Sequence, residues 1–201
     1  MNNTSEKTFF SIIIPTLNEE KYLPRLLKHL SLQTFQNFEV IHVDGSSEDK
    51  TVEKAKKIKD KLNLKSVVVD VRNVSYQRNF GTDLAQSDWL IFMDADNRLP
   101  KYFLQGIKYK LEKHPKIDVF TSWLKTESYP PKHRPTAQII NFGLELFSNA
   151  AFGALIGVKT KLAKKLPFNE NISYGEDWQF VKNLTQAGYH FECFREPAYI
   201  Y

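Results

Sequence analysis

The sequence predicts an α/β fold, with a mainly parallel central sheet and helices on both of its faces. Along the first hundred residues, short apolar runs alternate with helical patterns, which is the order of a β–α–β protein. Each apolar run ends where a polar cluster begins. The chain has 201 residues, 42% apolar and 25% charged, which is ordinary for one folded domain.

Four strands are expected in this first half: FFSIIIPT, FEVIHVD, KSVVVDV and DWLIFMDAD. After the first strand, leucines recur at helical spacing in YLPRLLKHLSL, and Asn18 is expected to cap that helix. Ser46 or Ser47 is expected to start the second helix, whose face carries Val52, Ala55 and Ile58. The segment SYQRNFGTDLAQ has the pattern of a third helix.

The second half is expected to contain an exposed loop, a helix and a final strand. Three prolines in SYPPKHRP predict the loop, and FECFREPAYIY predicts the strand. Ile139–Val158 is long enough to cross a bilayer, but Asn141, Glu145 and Asn149 would lie near its middle at high cost. A buried or partly buried helix is therefore predicted there, with contact to a membrane surface as the alternative.

Charge and cysteine content exclude several classes of function. The net charge is +5, but much of the excess lies in two lysine clusters, Lys54–Lys65 and Lys159–Lys165, which are typical of solvated helix faces. These clusters lack the aromatic residues of a single-strand binder, so we expect no nucleic-acid partner. A single cysteine, Cys193, excludes an internal disulfide and fits a reducing compartment. Because no signal peptide is visible at Met1–Lys7, a cytoplasmic location is predicted.

Two carboxylates follow the fourth strand, and one follows the second. In a strand, residues i and i+2 point the same way, so Asp94 and Asp96 would face one site. Such oxygen pairs suit Mg²⁺ or Mn²⁺, although a turn with one capping and one solvated Asp would have the same sequence. Asp44 lies where a base or sugar hydroxyl could be bound, or where an Asx-turn forms.

Three further ionisable side chains are candidates for a site. Arg78 could engage two oxygens of a diphosphate, or form an ion pair on a helix surface. Glu176 and Asp177 precede Trp178 and Phe180 in what looks like a buried helix start. One of the two carboxylates could serve as a general base beside an aromatic wall, or the pair could simply favour the helix dipole.

The remaining signals are negative or structural. His42 alternates with core residues in its strand and is interpreted as a hydrogen-bonded core histidine. The chain has no G-x-S-x-G, G-x-x-x-x-G-K-S/T or G-x-G-x-x-G segment, so no elbow hydrolase, P-loop or dinucleotide fold is indicated.

Taken together, the motifs resemble glycosyltransferase family 2, whose members have the GT-A nucleotide-sugar-binding fold. The segments that carry the resemblance are SIIIPTLNEEKYLPRLLKHLSLQT, VDGSSEDKT, QRNFGTDLAQSDWLIFMDADNRL and GEDWQFVKNLTQAGY, in that order. It covers about 9–189. It implies one catalytic domain over 1–201, with a nucleotide-binding half at about 9–100 and an acceptor-side half at about 101–201. Relatives usually continue beyond this point, so the resemblance predicts either a compact member or a chain shortened at its carboxyl end.

The resemblance also implies roles for individual residues. The nucleotide pocket would be lined by Pro15, Thr16, Asn18 and Glu19, and Asp44 would hold the base. Arg78 would contact the diphosphate. The metal would be bound by Asp96 as the direct ligand and by Asp94, which is shared with the ribose. Asp177 would be the catalytic base, with Glu176 beside it.

This chain departs from the family pattern at two positions near the predicted nucleotide pocket. Gly45 stands where the family often has a second Asp, which removes one possible base or ribose contact. Gln77 stands where the family has Ala before the Arg-Asn pair.

The function implied is inverting transfer of a sugar from a uridine or guanosine diphosphate sugar, assisted by Mn²⁺ or Mg²⁺. The acceptor would be a glycan or lipid-linked molecule that offers a hydroxyl or a lipid phosphate. The basic loop at Lys132–Arg134 suits such an acceptor, at the cytoplasmic membrane surface. The Gln-x-x-Arg-Trp motif of processive synthases is absent, so single transfers are expected. A non-catalytic sugar-nucleotide or glycan-binding protein and a nucleotidyltransferase remain alternatives.

Overall fold

The computed structural model describes residues 7–58, 61–125, 138, 141–143 and 154–200. Seven strands in this part of the chain form one sheet, in the order β3-β2-β1-β4-β6-β5-β7. The strands are β1 Phe10–Thr16, β2 Phe38–Asp44, β3 Leu64–Val68, β4 Trp89–Met93, β5 Val119–Lys125, β6 Leu155–Lys159 and β7 Phe191–Ile200. The helices are α1 Leu23–Ser31, α2 Thr51–Lys56, α3 Val74–Leu84, α4 Phe103–Lys113, α5 Thr160–Lys165 and α6 Glu176–Gln186.

The sheet is mainly parallel, as predicted. Strand β1 pairs in parallel with β2 and β4, and β2 pairs in parallel with β3. Strand β6 runs antiparallel to both β4 and β5, whereas β5 and β7 are parallel. The carboxyl ends of β1, β2, β3 and β4 therefore meet at one edge, which is where ligands bind in sheets of this kind.

Helices cover both faces of the sheet because successive strand residues point to opposite sides. Ile12 and Ile14 pack in one apolar cluster with the buried faces of α1 and α4. Ile13 and Phe92 belong to the other cluster, which includes the buried face of α6. The predicted layer architecture is thus confirmed.

Two glycines are required for close packing at the centre of the fold. A Cβ on Gly81 would lie 2.5 Å from Ile13 Cγ2, so α3 can approach β1 only with glycine at this position. A Cβ on Gly157 would overlap the ring of Phe120, which faces it across the β5–β6 pair. Both contacts fix elements that lead to the carboxyl edge.

The predicted starts of the first two helices were wrong. Helix α1 begins at Leu23, and no side chain caps it. Asn18 has instead a left-handed backbone, with φ 59°, and its Oδ1 accepts a 2.9 Å hydrogen bond from the Glu48 amide. Helix α2 begins at Thr51 rather than near Ser46. Polar residues that can cap helices also stabilise turns, and both segments form turns at the sheet edge.

The helix predicted over Ile139–Val158 was wrong at its carboxyl end, where Leu155–Lys159 is strand β6. Asn141 is buried, and its side-chain amide forms hydrogen bonds with the backbone N–H and C=O of Leu124. Glu145, Asn149 and the basic loop at Lys132–Arg134 lie outside the described residues. None of the described helices has the length and apolar character needed to span a bilayer.

The prediction that Trp178 and Phe180 are both buried was half wrong. Phe180 is 2% exposed, whereas Trp178 is 46% exposed. Residues two apart on a helix point to nearly opposite sides, so the two aromatic rings cannot share one core face.

Candidate functional site

A cavity of about 320 Å³ opens at the carboxyl edge of the sheet. Its walls come from the ends of β1 and β4, from the segment after β3 and from α3. The lining residues are Pro15, Thr16, Leu17, Glu19, Arg72, Val74, Gln77, Asp94, Ala95 and Asp96. Five of the predicted site residues therefore meet in one cavity: Pro15, Thr16, Glu19, Asp94 and Asp96.

Negative charge accumulates in this cavity. Burial raises the pKa of Asp94 to about 6 against the lowering effect of Arg78, and the charges of Asp96 and Asp177 add to the rise. Burial also raises the pKa of Glu19, and the charges of Asp96 and Asp94 raise it further. Burial and mutual repulsion both disfavour the charged forms of these carboxylates, and a bound cation would favour them.

Arg78 is the buried cation that faces this cluster. It is 2% exposed and links three elements. Its Nη2 lies 3.2 Å from Asp94 Oδ1, and its Nη1 lies 2.9 Å from Glu176 Oε1. Its guanidinium carbon is 5.1 Å from the centre of the Phe168 ring. Arg78 thus ties α3 to the end of β4 and the start of α6, and its predicted contact with a diphosphate stays a prediction.

The carboxylates suit a divalent cation. Asp96 Oδ1 is buried and has no hydrogen-bond partner within the described part of the chain, although a buried carboxylate oxygen without a partner is costly. Among the described residues, no three acidic, histidine or cysteine side chains are grouped so as to hold a metal by themselves. An ion bound here would therefore need further oxygens from water or a ligand, as is usual for Mg²⁺.

Asp44, at the end of β2, differs from these carboxylates because its side chain is hydrogen-bonded by neighbouring residues. Its side chain is fully buried and accepts three hydrogen bonds of 2.7 Å, from Thr16 Oγ1, the Ser47 amide and Ser47 Oγ. Thr16 Oγ1 also bonds His42 Nε2 at 2.7 Å, and His42 Nδ1 bonds Ser66 Oγ at 2.8 Å. His42 is therefore the hydrogen-bonded core histidine that was predicted, and burial lowers its pKa to about 4. Direct contact of Asp44 with a base stays a prediction.

Asn18 lies beside the cavity as a brace rather than in its wall. Its backbone N–H donates a hydrogen bond to Ser47 Oγ at 2.8 Å, and its side-chain Oδ1 accepts one from the backbone N–H of Glu48. These bonds join the turns after β1 and β2. Asn18 therefore positions Leu17 and Glu19, which do line the cavity.

Glu176 and Asp177 form the first turn of α6, after Gly175 with φ 73°. Glu176 is the partner of Arg78, as described above. Asp177 is near enough for its charge to raise the pKa of Asp94, and its Oδ1 accepts a 2.7 Å hydrogen bond from the Trp178 amide. The structure thus joins Glu176 to Asp94 through Arg78, and Asp177 is the next residue of the same helix turn. Their catalytic roles stay predictions.

Sequence reasoning missed Leu17, Arg72, Val74, Gln77 and Ala95 as cavity residues. Arg72 could have been found, because it follows the apolar run of β3 just as the other polar clusters follow their strands. It is paired with Glu48 and donates to the backbone oxygen of Ser46 at 3.2 Å. Gln77 was noticed only as a departure from a pattern.

Comparison with known proteins identifies the family. The model described as "Glycosyl transferase family 2" matches residues 11–169. The chain belongs to glycosyltransferase family 2. The match includes the turns after β1, β2 and β4, and thus the cavity.

Two curated relatives illustrate how far similarity in sequence extends. A poly(ribitol-phosphate) beta-N-acetylglucosaminyltransferase of Staphylococcus aureus, TarS, is 34% identical over 109 residues, which are 52% of this chain and 19% of that protein. A dolichyl N-acetyl-alpha-D-glucosaminyl phosphate 3-beta-D-2,3-diacetamido-2,3-dideoxy-beta-D-glucuronosyltransferase of Methanococcus voltae is 33% identical, with 94% of this chain and 64% of that protein covered. This chain therefore spans less than two thirds of either relative.

Solved structures agree with the fold. The complex of S. aureus TarS residues 1–349 with UDP superposes with a TM-score of 0.77 at 25% identity, covering 96% of this chain and 60% of that one. The mannosyltransferase PcManGT from Pyrobaculum calidifontis, in complex with GDP-Man and Mn²⁺, has a TM-score of 0.82 at 18% identity, covering 98% and 57%. The predicted GT-A fold is confirmed.

Proposed function

We propose that this chain transfers single sugars from a nucleoside-diphosphate sugar to an acceptor hydroxyl, with inversion at the anomeric carbon. The observation that carries the proposal is the excess of carboxylates in the cavity, above all Asp96, whose Oδ1 has no hydrogen-bond partner among the described residues. Family membership and the UDP and UDP-GlcNAc complexes of TarS support a nucleotide-sugar ligand for this cavity.

Asp177 is assigned the role of general base. Its carboxylate accepts the proton of the acceptor hydroxyl while the hydroxyl oxygen attacks the anomeric carbon. The bond from that carbon to the diphosphate breaks on the opposite face, and the electron pair leaves with the nucleoside diphosphate. One displacement inverts the configuration. Asp177 lies in the first turn of α6, directly after Glu176, which is the ion-pair partner of Arg78.

Asp96 and Asp94 would hold the cation. Bound Mn²⁺ or Mg²⁺ supplies positive charge that stabilises the departing diphosphate. Arg78 fixes the orientation of Asp94 through their 3.2 Å contact and neutralises Glu176, so the two acidic segments can approach each other. Glu19 and Arg72, on the other walls, are placed to orient the donor.

The acceptor is proposed to be a glycan or a lipid-linked molecule. The names of the two relatives refer to poly(ribitol-phosphate) and to a dolichyl-linked sugar phosphate, which supports an acceptor of this kind. A cytoplasmic location, with contact to the membrane surface through the acceptor, belongs to the same proposal.

The decisive experiment is turnover of UDP-, GDP- and dTDP-sugars with Mn²⁺ by the wild type and by Asp177→Asn. A positioned base contributes ~10²–10⁴-fold, so the variant should lose that much in rate while it still binds the donor. Asp83→Asn is the matched control, because Asp83 is an exposed aspartate of α3 outside the cavity wall, and it should retain full activity. Full turnover by Asp177→Asn would refute the assigned base. A wild type that binds a donor but never turns over would favour a non-catalytic binding protein.

A further inference from the structure

Gly45 and Gln77, the two departures from the family pattern, lie in contact with each other. A Cβ on Gly45 would be 3.2 Å from Gln77 Nε2 and 3.4 Å from its Cδ, which is tighter than most such contacts. A longer side chain at position 45 would need the space that the Gln77 amide fills. The amide of Gln77, from α3, thus fills the space beside Gly45 that the side chain of the family's usual Asp would need.

The orientation of this amide is fixed by the backbone. Gln77 Nε2 donates to the Thr16 carbonyl at 2.8 Å and to the Val43 carbonyl at 2.9 Å. A primary amide has two N–H groups, and both are used. Because only the nitrogen can face two carbonyls, the oxygen is directed away from them. Gln77 is 4% exposed and lines the cavity, and no described residue donates to its Oε1.

We propose that Gln77 Oε1 recognises the nucleobase of the donor by accepting the N3–H of a uracil-type ring. This inference rests on the proposed function, since it assigns the base subsite of the same cavity. Asp44 is fully buried and already accepts hydrogen bonds from Thr16 and Ser47, whereas Gln77 lines the cavity.

The hydrogen-bonding pattern of Gln77 selects the class of base. It presents one acceptor and no donor, because both N–H groups are held by the backbone. The imide edge of uracil or thymine has one N–H between two carbonyls and matches this group. The Watson–Crick edge of cytosine places an acceptor beside an amino group and needs a donor that Gln77 cannot supply.

The test measures binding of three ligands by calorimetry in the presence of Mn²⁺: UDP, N3-methyl-UDP and CDP. Methylation removes the N3–H and leaves the diphosphate unchanged. The wild type should bind N3-methyl-UDP and CDP ~10-fold or more weakly than UDP, as the loss of one buried hydrogen bond implies. This comparison needs no variant, so it cannot be confounded by misfolding.

Two variants connect the effect to Gln77. Gln77→Ala should bind UDP ~10-fold more weakly and no longer discriminate against the methylated base. Gly45→Ala keeps the glutamine, but the added methyl group would displace the Gln77 amide. This variant should therefore have a smaller preference for UDP over CDP. A methylation effect of equal size in the wild type and in Gln77→Ala would overturn the inference.

The outcomes separate this inference from the proposed function. If the wild type binds UDP and N3-methyl-UDP equally well, Gln77 does not read the base, while donor binding and the proposed function stand. If the wild type binds no nucleoside diphosphate with Mn²⁺, both fail together.

Discussion

The ends of β2 and β4 make an instructive pair, because each strand delivers an aspartate to the same edge of the sheet. Asp44, after β2, is fully buried, and its carboxylate receives hydrogen bonds from Thr16 and Ser47. Asp94 and Asp96, after β4, crowd against Glu19, and Asp96 Oδ1 has no partner among the described residues.

We infer from this difference that Asp44 stabilises the fold and that Asp94 and Asp96 await a ligand. A buried charge that is fully hydrogen-bonded needs nothing more from a ligand, whereas a crowded group of carboxylates keeps an unfavourable energy that a cation can relieve. We therefore propose that the end of β4 binds a cation, whereas the carboxylate at the end of β2 is already hydrogen-bonded by the protein.

The largest effect is expected at the β4 end. Asp96→Asn removes the negative charge of the proposed metal ligand, so the rate of sugar transfer should fall ~10²–10³-fold. The fold should remain intact, because Asp96 Oδ1 makes no hydrogen bond that would be lost. Initial rates at saturating donor and Mn²⁺ measure the effect, and circular dichroism checks the fold. A rate within a factor of two of the wild type would contradict the assignment.

The matching change at the β2 end should act on stability. In Asp44→Asn, one oxygen becomes an N–H₂ group that faces donors of Thr16 or Ser47, so the free energy of unfolding should fall by ~1–3 kcal/mol. Urea denaturation measures this. The exposed Asp83→Asn should change stability by less than ~0.5 kcal/mol. If Asp44→Asn were equally harmless, the Asp44 network would not be structural.

Sequence alone could predict the fold and the elements that supply the site. The apolar runs of β1 to β4 specify a parallel sheet, and the sheet places Asp44, Asp94 and Asp96 at one edge. The sequence could not distinguish the hydrogen-bonded Asp44 from Asp94 and Asp96. That distinction depends on how many donors face each oxygen, and the donors to Asp44 come from the turns after β1 and β2.

Other features were beyond sequence reasoning for similar reasons. Asn18 and Ser47 are good helix caps by type, yet they bond each other across two turns, which no local pattern reveals. The pairing of Arg78 with Glu176 joins residues 98 positions apart. The role of Gln77 depends on carbonyls of two different strands. Each case is a contact between distant segments, where tertiary structure outweighs local preference.

A third prediction concerns the pH dependence of stability. Burial lowers the pKa of His42 to about 4 from 6.5. Between these values the unfolded chain binds a proton that the folded chain does not, so stability falls as pH drops from 6.5 toward 4. The slope attributable to His42 is about 1.4 kcal/mol per pH unit.

The check is urea unfolding over this pH window for the wild type, His42→Gln and His114→Gln. The first variant should flatten the profile. The second should not, because His114 is exposed. Parallel profiles for all three proteins would show that His42 is not the titrating group.

The smallest expected effect is an increase in stability. Without metal, Asp96→Asn should raise the free energy of unfolding by a few tenths to ~1 kcal/mol, because it relieves the repulsion with Glu19 and Asp94. Thermal unfolding in EDTA measures the change. A lower melting temperature for this variant would mean that the β4 end is as well compensated as the β2 end.

The most direct test of the contrast is a calorimetric titration of Mn²⁺ into UDP-saturated protein. We expect one bound Mn²⁺ per chain in the wild type and in Asp83→Asn, with affinity at least ~10-fold lower in Asp96→Asn. If Asp96→Asn bound Mn²⁺ as tightly as the wild type, Asp96 would not be a metal ligand.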